Sequence, residues 1–466
     1  MTATDTDWRQ GALIEITIDS LSDRGDGVGR WNDRVVFVPD SVPQDQLSVR
    51  LLHVKPNLAQ GKIQAILQPS PHRIDAACIV ADKCGGCQWQ FVAYGEQLTQ
   101  KHRIVTNALQ RIGGIADIDI EPVIPSAPLG YRNKSTYPLR RSATGQVQAG
   151  YYRKGSHKLV NLNQCPVQDD RLDPLLAGVK QDIEARGWSL YEEATGTGAL
   201  RHLSLRVGQR TGETLLTLIS QTDVDALPDL EEQAQDWLER FDLAGVCLNI
   251  NERRTNVIFG TMTRGLAGKP YIAERFAGLE FHIRSATFFQ INTAQAEAML
   301  TVILEELVLE GHETVIDAYC GVGTLSLPLA QRTREVIGVE SHAESVAQAR
   351  YNATLNGIEN VAFYPETVEV WLPNQVRPDA PATIAPHVVV LDPPRRGCAP
   401  AVVEALVRLR SPRIVYVSCN PATLARDLKG LCEGGYRVTR VQPIDFFPQT
   451  SHVECVAFLT YGLDGS

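Results

Sequence analysis

The chain has 466 residues, 44% hydrophobic and 21% charged, an ordinary globular balance and too much chain for one core of typical size. Its formal net charge of −9 excludes a generally basic nucleic-acid coat, although a local cationic surface would still attract phosphates within a Debye length of about 8–10 Å. No run approaches the roughly 18 unbroken apolar residues of a membrane span. Because the stretch from Met1 to Asp7 is acidic and polar, a cytoplasmic protein without a targeting segment is expected. The ten cysteines lack small-secreted-domain spacing, which favours free, metal-bound or catalytic thiols over disulfides.

From about Trp8 to Leu67 the chain alternates in short strand-like runs, Leu13 to Ile18, Arg34 to Val38, Leu47 to His53 and Lys62 to Leu67, broken by turn signals. Five or so short strands in this space predict a small β-barrel of the OB type. The glycine turn Gly25, Gly27, Gly29, followed by Val35-Val36-Phe37-Val38, resembles the TRAM domain, an RNA-binding module. The next turn departs from that family, with Pro43-Gln44-Asp45 in place of Pro-Gly-Asp or Pro-Gly-Glu.

Cys78 and the pair Cys84-Gly85-Gly86-Cys87 come next, and Cys165-Pro166 much later. A Cys-x2-Cys pair with a nearby third thiol gathers soft ligands, and its glycines let backbone amides approach the centre. Spacing alone leaves zinc and an iron–sulfur cluster both open. Tyr94 to Ile112 has helical periodicity and stops at Gly113-Gly114.

The stretch Tyr131 to Lys158 carries Arg132, Lys134, Arg140, Arg141, Arg153, Lys154 and Lys158, no acid, and four tyrosines, Tyr131, Tyr137, Tyr151 and Tyr152. Cations for phosphates and rings for bases make this the expected RNA-facing surface; the competing reading is the solvated face of a β-rich domain. Strands are expected at Leu203 to Val207, Thr214 to Ile219, Val246 to Ile250 and Thr255 to Phe259, with an acidic helix near Leu230 to Phe241.

From about Glu280 the texture becomes alternating helices and buried strands, the signature of a doubly wound α/β domain. Thr287-Phe288-Phe289-Gln290-Ile291-Asn292 leads into a helix from Thr293 to about Leu309. The strand at Thr314 ends in Asp317-Ala-Tyr-Cys-Gly-Val-Gly-Thr324, and Glu340 closes the next strand where a ribose-binding acid belongs. With Ser326 at the third small-residue position, and no pyrophosphate cradle, the pattern favours S-adenosylmethionine over a dinucleotide.

A third strand, His387 to Leu391, ends in Asp392-Pro393-Pro394-Arg395-Arg396-Gly397. A fourth, Arg413 to Val417, runs into Ser418-Cys419-Asn420-Pro421, where Asn420 is the expected N-cap and Pro421 the first helical residue. A thiol at such a turn is exposed to the positive helix end, which predicts a Cys419 pKa lowered from about 8.5 into the range of roughly 3.5–7.5. Cys320, Cys398, Cys432 and Cys455 lack that context and are read as packing.

Phe-Phe-Gln-x-Asn, Asp-Pro-Pro-Arg-x-Gly, Ser-Cys-Asn-Pro-x-Thr-Leu-x-Arg-Asp and Phe-Pro-x-Thr-x-His-x-Glu, taken in order, closely resemble the motifs of the RNA uracil-C5 methyltransferases over nearly the whole chain. The resemblance implies a [4Fe-4S] cluster on Cys78, Cys84, Cys87 and Cys165, in a stretch that continues through Tyr94, Gln97 and Lys101. It implies S-adenosylmethionine contacts from Gln290, Tyr319, Glu340 and Asp392, RNA contacts through the basic stretch and Arg201-His202, and catalysis by Cys419 and Glu454. Uracil C5 attacks a methyl sulfonium only after a thiolate has added at C6, and a base must then remove the C5 proton.

The expected architecture is multidomain α/β: residues 8–67 a TRAM/OB-fold barrel, 68–274 a central α+β iron–sulfur domain, and 275–466 a Rossmann-like methyltransferase domain. The expected partner is RNA, ribosomal ahead of transfer RNA, with no DNA or membrane, for a chain acting as a monomer. An RNA cytosine-C5 methyltransferase and a non-catalytic RNA binder are the alternatives. The former usually shows Pro-Cys or Thr-Cys where this chain has Ser418-Cys419.

Overall fold

The computed structural model describes residues 7–116, 118–376 and 383–462, so residues 1–6 of the polar opening stretch lie outside it. Strands β1 (Leu13–Leu21), β2 (Gly27–Trp31), β3 (Arg34–Val38), β4 (Gln46–Val54) and β5 (Leu58–Gln68) close into a barrel in the order β1-β2-β3-β5-β4. Their period of two sends Ile14, Ile16, Ile18, Val36, Val38, Leu47, Val49 and Leu51 inward, and closure leaves no open edge. The glycine run is only partly a turn. Gly25 has φ +92°, but Gly27 and Gly29 belong to β2, where a Cβ would meet Ser41 Oγ at 1.9 Å and Thr17 O at 2.5 Å.

Helix α1 (Tyr94–Ala108) continues as a π-turn through Gly113 and is stopped by Gly114 at φ +66°. A seven-stranded sheet follows, built from β6 (Lys134–Arg141), β7 (Val147–Tyr152), β8 (Leu159–Asn161), β9 (Leu200–Val207), β10 (Thr214–Ser220), β11 (Gly245–Ile250) and β12 (Met262–Gly268). Its order is β12-β11-β10-β9-β6-β7-β8. Helices α2 (Asp173–Ala185) and α3 (Leu230–Arg240) bury one face of it against Leu203, Leu205, Leu216 and Leu218.

The strand expected at Thr255 to Phe259 is a loop. Side chains satisfy its carbonyls, Asn251 Nδ2 donating to Val257 O (2.7 Å) and Ile258 O (2.9 Å), so no ladder is needed, and the strand pairing with β11 starts at Met262. The hairpin β13 (Tyr271–Phe276) and β14 (Leu279–Arg284) was not anticipated before Glu280; its Ala277-Gly278 turn takes positive φ at both residues.

The last part runs α4 (Thr293–Leu307), β15 (Thr314–Ala318), α5 (Ser326–Ala330), β16 (Glu335–Val339), α6 (Ala343–Leu355), β17 (Val361–Tyr364), α7 (Val368–Gln375), β18 (Val388–Leu391), α8 (Pro400–Leu409), β19 (Arg413–Ser418), α9 (Pro421–Glu433), β20 (Tyr436–Ile444) and β21 (Glu454–Tyr461). The sheet order is β17-β16-β15-β18-β19-β21-β20. Strands β15 to β19 are parallel, whereas β21 runs antiparallel to both β19 and β20. Both faces are covered, so β15 and β18 are wholly buried and read as continuous apolar runs. Among the described residues no helix is long and apolar enough to cross a membrane.

One buried ion pair joins α1 to the segment before β21. Lys101 Nζ lies 2.5 Å from Asp445 Oδ1, both side chains being fully buried, and also donates to Phe447 O at 3.0 Å. Tyr94 OH donates to the other Asp445 oxygen at 3.1 Å. Gln97 Nε2 donates to Gln449 Oε1 at 3.0 Å, and Gln449 N returns a bond to Gln97 Oε1 at 2.9 Å. Tyr94, Gln97 and Lys101, grouped in sequence with the cysteines, therefore hold this segment. The barrel adds to the same clamp, Ser451 Oγ donating to Asp23 O at 2.7 Å.

Removing one partner of a buried pair leaves an uncompensated charge, so Lys101→Met should lose about 3–5 kcal/mol of unfolding stability in urea titrations. Lys101→Met combined with Asp445→Asn should recover much of that loss. A single variant as stable as the parent would show that the pair does not hold the segment.

Candidate active site

The parallel strands deliver their ends to one crevice, where the strand order reverses between β15 and β18. Just past β15, Tyr319 at φ +68° and Gly321 at φ +57° turn the chain over that crevice, and a Cβ added at Gly321 would meet open space. Gly321 N donates to Glu340 Oε2 at 3.2 Å, while His342 N holds the other oxygen at 2.7 Å. This leaves an acid fixed beside an open backbone turn, the arrangement a ribose needs. Behind it Ser326 Oγ donates to Asp317 Oδ2 at 2.5 Å, and burial pushes Asp317 up to about 7.

Asp392 stands at the end of β18, also pushed up to about 7, first by burial and then by Asp317. Antiparallel pairing of β19 with β21 sets Ser418 opposite Cys455, so the next step of the register faces Cys419 with Glu454. Burial, reinforced by Asp392 and opposed by Arg395, pushes Glu454 up to about 8.

The thiol corrects an expectation. Cys419 is pushed up to about 11, first by burial and then by Glu454, with Arg395 opposing. Asn420 caps α9 as expected, accepting from Ala422 N at 3.1 Å, but that cap takes up a helix-end donor, and desolvation between two carboxyls outweighs the helix end.

A cavity of about 950 Å³ joins these groups, and every side chain singled out for catalysis, cofactor or metal lines it. Gln290, Tyr319, Glu340 and Asp392 share it with Cys419 and Glu454, and with Cys78, Cys84, Cys87 and Cys165. Among the described residues no three His, Cys, Asp or Glu side chains are grouped so as to hold a metal ion. Sequence reasoning gave no role to Phe288, Glu369, Arg395 and His452, which also line the cavity. Phe288 is 62% exposed beside the buried Phe289, and a solvent-facing aromatic in a motif was the available signal.

The basic stretch is less of an RNA surface than expected. Tyr131 and Tyr137 are buried, their hydroxyls donating to Pro448 O and Gln168 Oε1. Lys134 points inward, donating to Ser285 O at 3.2 Å, and Lys154 pairs with Asp40 of the barrel. On β6 Tyr137 takes a buried alternate position and Lys134 a half-buried one, whereas Arg141, Arg153 and Lys158 are exposed. Arg201 is likewise buried, donating to Asn251 O (2.9 Å) and Arg253 O (2.8 Å); beside it His202 is lowered to about 4 by burial and by Arg201.

Comparison with known proteins agrees with this geometry. Residues 269–461 match the tRNA (uracil-5-)-methyltransferase family and residues 7–63 the TRAM domain. An uncharacterized RNA methyltransferase of Nostoc sp. (strain PCC 7120) is 59% identical over 99% of both chains, and one of Bacillus cereus (strain ATCC 14579) 40% identical over 96% of both. The crystal structure of Pyrococcus abyssi tRNA (uracil-54, C5)-methyltransferase in complex with S-adenosyl-L-homocysteine superposes with a TM-score of 0.76 at 28% identity, covering 96% of this chain and 100% of that one. With both family models matched in order along the chain, and relatives and a solved fold that span nearly all of it, the chain belongs to the RNA uracil-C5 methyltransferase family.

Proposed function

We propose that this chain methylates C5 of one uridine in structured RNA, in the cytoplasm and as a monomer, with Cys419 as nucleophile and Glu454 as the base. The observation that carries this reading is that Cys419, one residue past the last β19–β21 pair, and Glu454, the first residue of β21, line one cavity with Glu340 and Asp392. When bound, S-adenosylmethionine supplies the methyl sulfonium. Glu340 would hold its ribose, Tyr319 and Gln290 would contact it, and Asp392 would orient either the cofactor or the uracil edge.

Once the Cys419 proton has passed to water, the thiolate bonds to C6 while the C5–C6 electron pair moves towards the ring carbonyl, and C5 then takes the methyl group as the S–CH3 bond of the sulfonium breaks to a neutral thioether. The Glu454 carboxylate afterwards removes the C5 proton, the double bond re-forms, and the thiolate leaves. Phe288, exposed at the cavity wall, offers a ring for a base flipped out of its stack. Ribosomal RNA is placed ahead of transfer RNA by the resemblance of barrel and cysteines, so both belong in the assay.

The four cysteines fit a [4Fe-4S] cluster. Gly86 N approaches Cys84 Sγ at 3.4 Å, and the Val167 and Gln168 amides act on Cys165, the amide-to-sulfur contacts that such clusters use. Burial and the other thiols push Cys87 up to about 12, so four thiolates would share this space only around a cation. Such a cluster would tie the segment of Cys78 to Cys87 to that of Cys165.

With RNA tritiated at uracil C5, release should require Cys419, and Cys419→Ala should lose at least about a thousandfold of the rate. Glu454→Gln should instead accumulate a methylated protein–RNA adduct stable on denaturing gels. Release from cytosine alone would move the reading to the cytosine enzymes. Because Glu454 and Asp392 hold their protons to about 8 and 7, single-turnover rates should rise as pH passes from 6.5 to about 8.5; a rate flat over that range would remove Glu454 as the base. Cys87→Ser should lose the iron and sulfide, about four each per chain, found in anaerobically purified parent protein.

A further inference from the structure

The polar side chains on the first two turns of α9 converge on a single loop. Asn420 Nδ2 and Thr423 Oγ1 each donate to Arg395 O at 3.2 Å. The Arg426 guanidinium donates to Arg396 O at 3.0 Å and Cys398 O at 3.2 Å. Asp427, 3% exposed, accepts from Cys398 N at 2.8 Å and from the buried Tyr416 hydroxyl at 2.6 Å, while Arg426 Nε holds its other oxygen at 2.8 Å. Gly397 sits inside this grip at φ +74°, where a Cβ would come within 2.5 Å of Asp427 Oδ2.

What the grip fixes is the base of Arg395. Its guanidinium reaches back across the cavity wall and lies 2.8 Å from His452 Nδ1, in the segment leading to Glu454. Burial, Arg395 and Lys101 keep His452 neutral to about pH 4, so its ring nitrogen can accept from the guanidinium. Arg395 and Cys419 line the same cavity, and Asn420, the residue next to the thiol, is bonded to the Arg395 carbonyl; Glu454 from β21, Arg395 from the loop after β18 and Asp392 from the end of β18 are the charged side chains that act most on Cys419. Arg395 is the cation of the three.

We propose that Arg395 stabilises the Cys419 thiolate as it forms and attacks, and that Asn420, Thr423, Arg426 and Asp427 are positioning residues that hold the Arg395 loop against the thiol. The motif residues following the nucleophile thereby acquire a use beyond helix formation: they place the counter-charge. The inference rests on Cys419 being the nucleophile.

The test is the pH dependence of iodoacetamide alkylation at Cys419, followed on its peptide by mass spectrometry, in the full chain without RNA. Arg395→Gln should slow alkylation at pH 8.5 about tenfold and move its midpoint up by about one pH unit, whereas Arg395→Lys should keep most of the parent rate. Asp427→Asn should move the midpoint in the same direction by less, with S-adenosylmethionine affinity unchanged; Thr423→Val serves if that variant does not fold. An unmoved midpoint in Arg395→Gln overturns the proposal, as does an Asp427→Asn variant that loses thermal stability and cofactor affinity with its midpoint unchanged. Alkylation needs no RNA, so this outcome is separate from failure of the methylation reading, which would appear as tritium release by Cys419→Ala.

Discussion

The buried contact between Lys101 and Asp445 is the constraint on which the site depends, because it decides where the chain re-enters the last sheet. A fully desolvated ion pair is costly to form, and here Asp445 also accepts from Tyr94 OH and Phe447 N, so its lone pairs are well used. The position of α1, packed through Val105, Ala108 and Leu109 against Leu424, Ala425 and Leu428 of α9, is thus transmitted to the segment that ends in Glu454. The barrel joins the same arrangement through Trp89 Nε1 to Gly25 O and Ser451 Oγ to Asp23 O. Its β1–β2 turn therefore supports the catalytic segment directly, and the glycines of that turn are small because other chain packs against them.

The antiparallel strand β21 does what a further parallel strand could not. In a parallel sheet the C-terminal strand ends all reach the crevice, and each contributes a residue from where its strand stops, as Asp392 and Cys419 do. β21 presents its beginning there, so its first residue, Glu454, reaches the cavity that Cys419 lines while the strand runs away through a core that buries all but its last two residues. The same geometry explains the elevated carboxyls. Asp317, Asp392 and Glu454 occupy neighbouring buried strand ends, and each holds its proton because both burial and a neighbouring carboxyl oppose ionisation.

Much of this was legible from residues alone. Continuous apolar runs ending in Asp317, Asp392 and Cys419 predicted buried parallel strands with functional tips, and Asn420-Pro421 predicted the start of α9. The adjacency of Cys419 and Glu454 was suggested by motif resemblance, since local pattern holds no information on which strand pairs with which, or in what direction. The protonation of Cys419 was misread for a related reason: a helix start is visible in sequence, whereas desolvation and two facing carboxyls come from elsewhere in the chain. The basic stretch failed similarly. Its composition was right for RNA, but Arg132 and Lys134 are half-buried and spent on internal carbonyls, Arg132 donating to Lys134 O and Lys134 to Ser285 O, partners that composition does not reveal.

A resting thiol with an elevated pKa is at first sight a poor nucleophile, yet the surroundings favour it. A permanent thiolate beside Asp392 and Glu454 would be repelled by both and would be open to oxidation in a large cavity. Keeping sulfur and carboxyls protonated avoids placing three negative charges in one desolvated crevice. The balance changes when a sulfonium enters that crevice, since positive charge near Asp392 and Glu454 favours their carboxylate forms. Burial and the two facing carboxyls thus favour a neutral sulfur in the empty crevice, and Arg395 is the charge that opposes them.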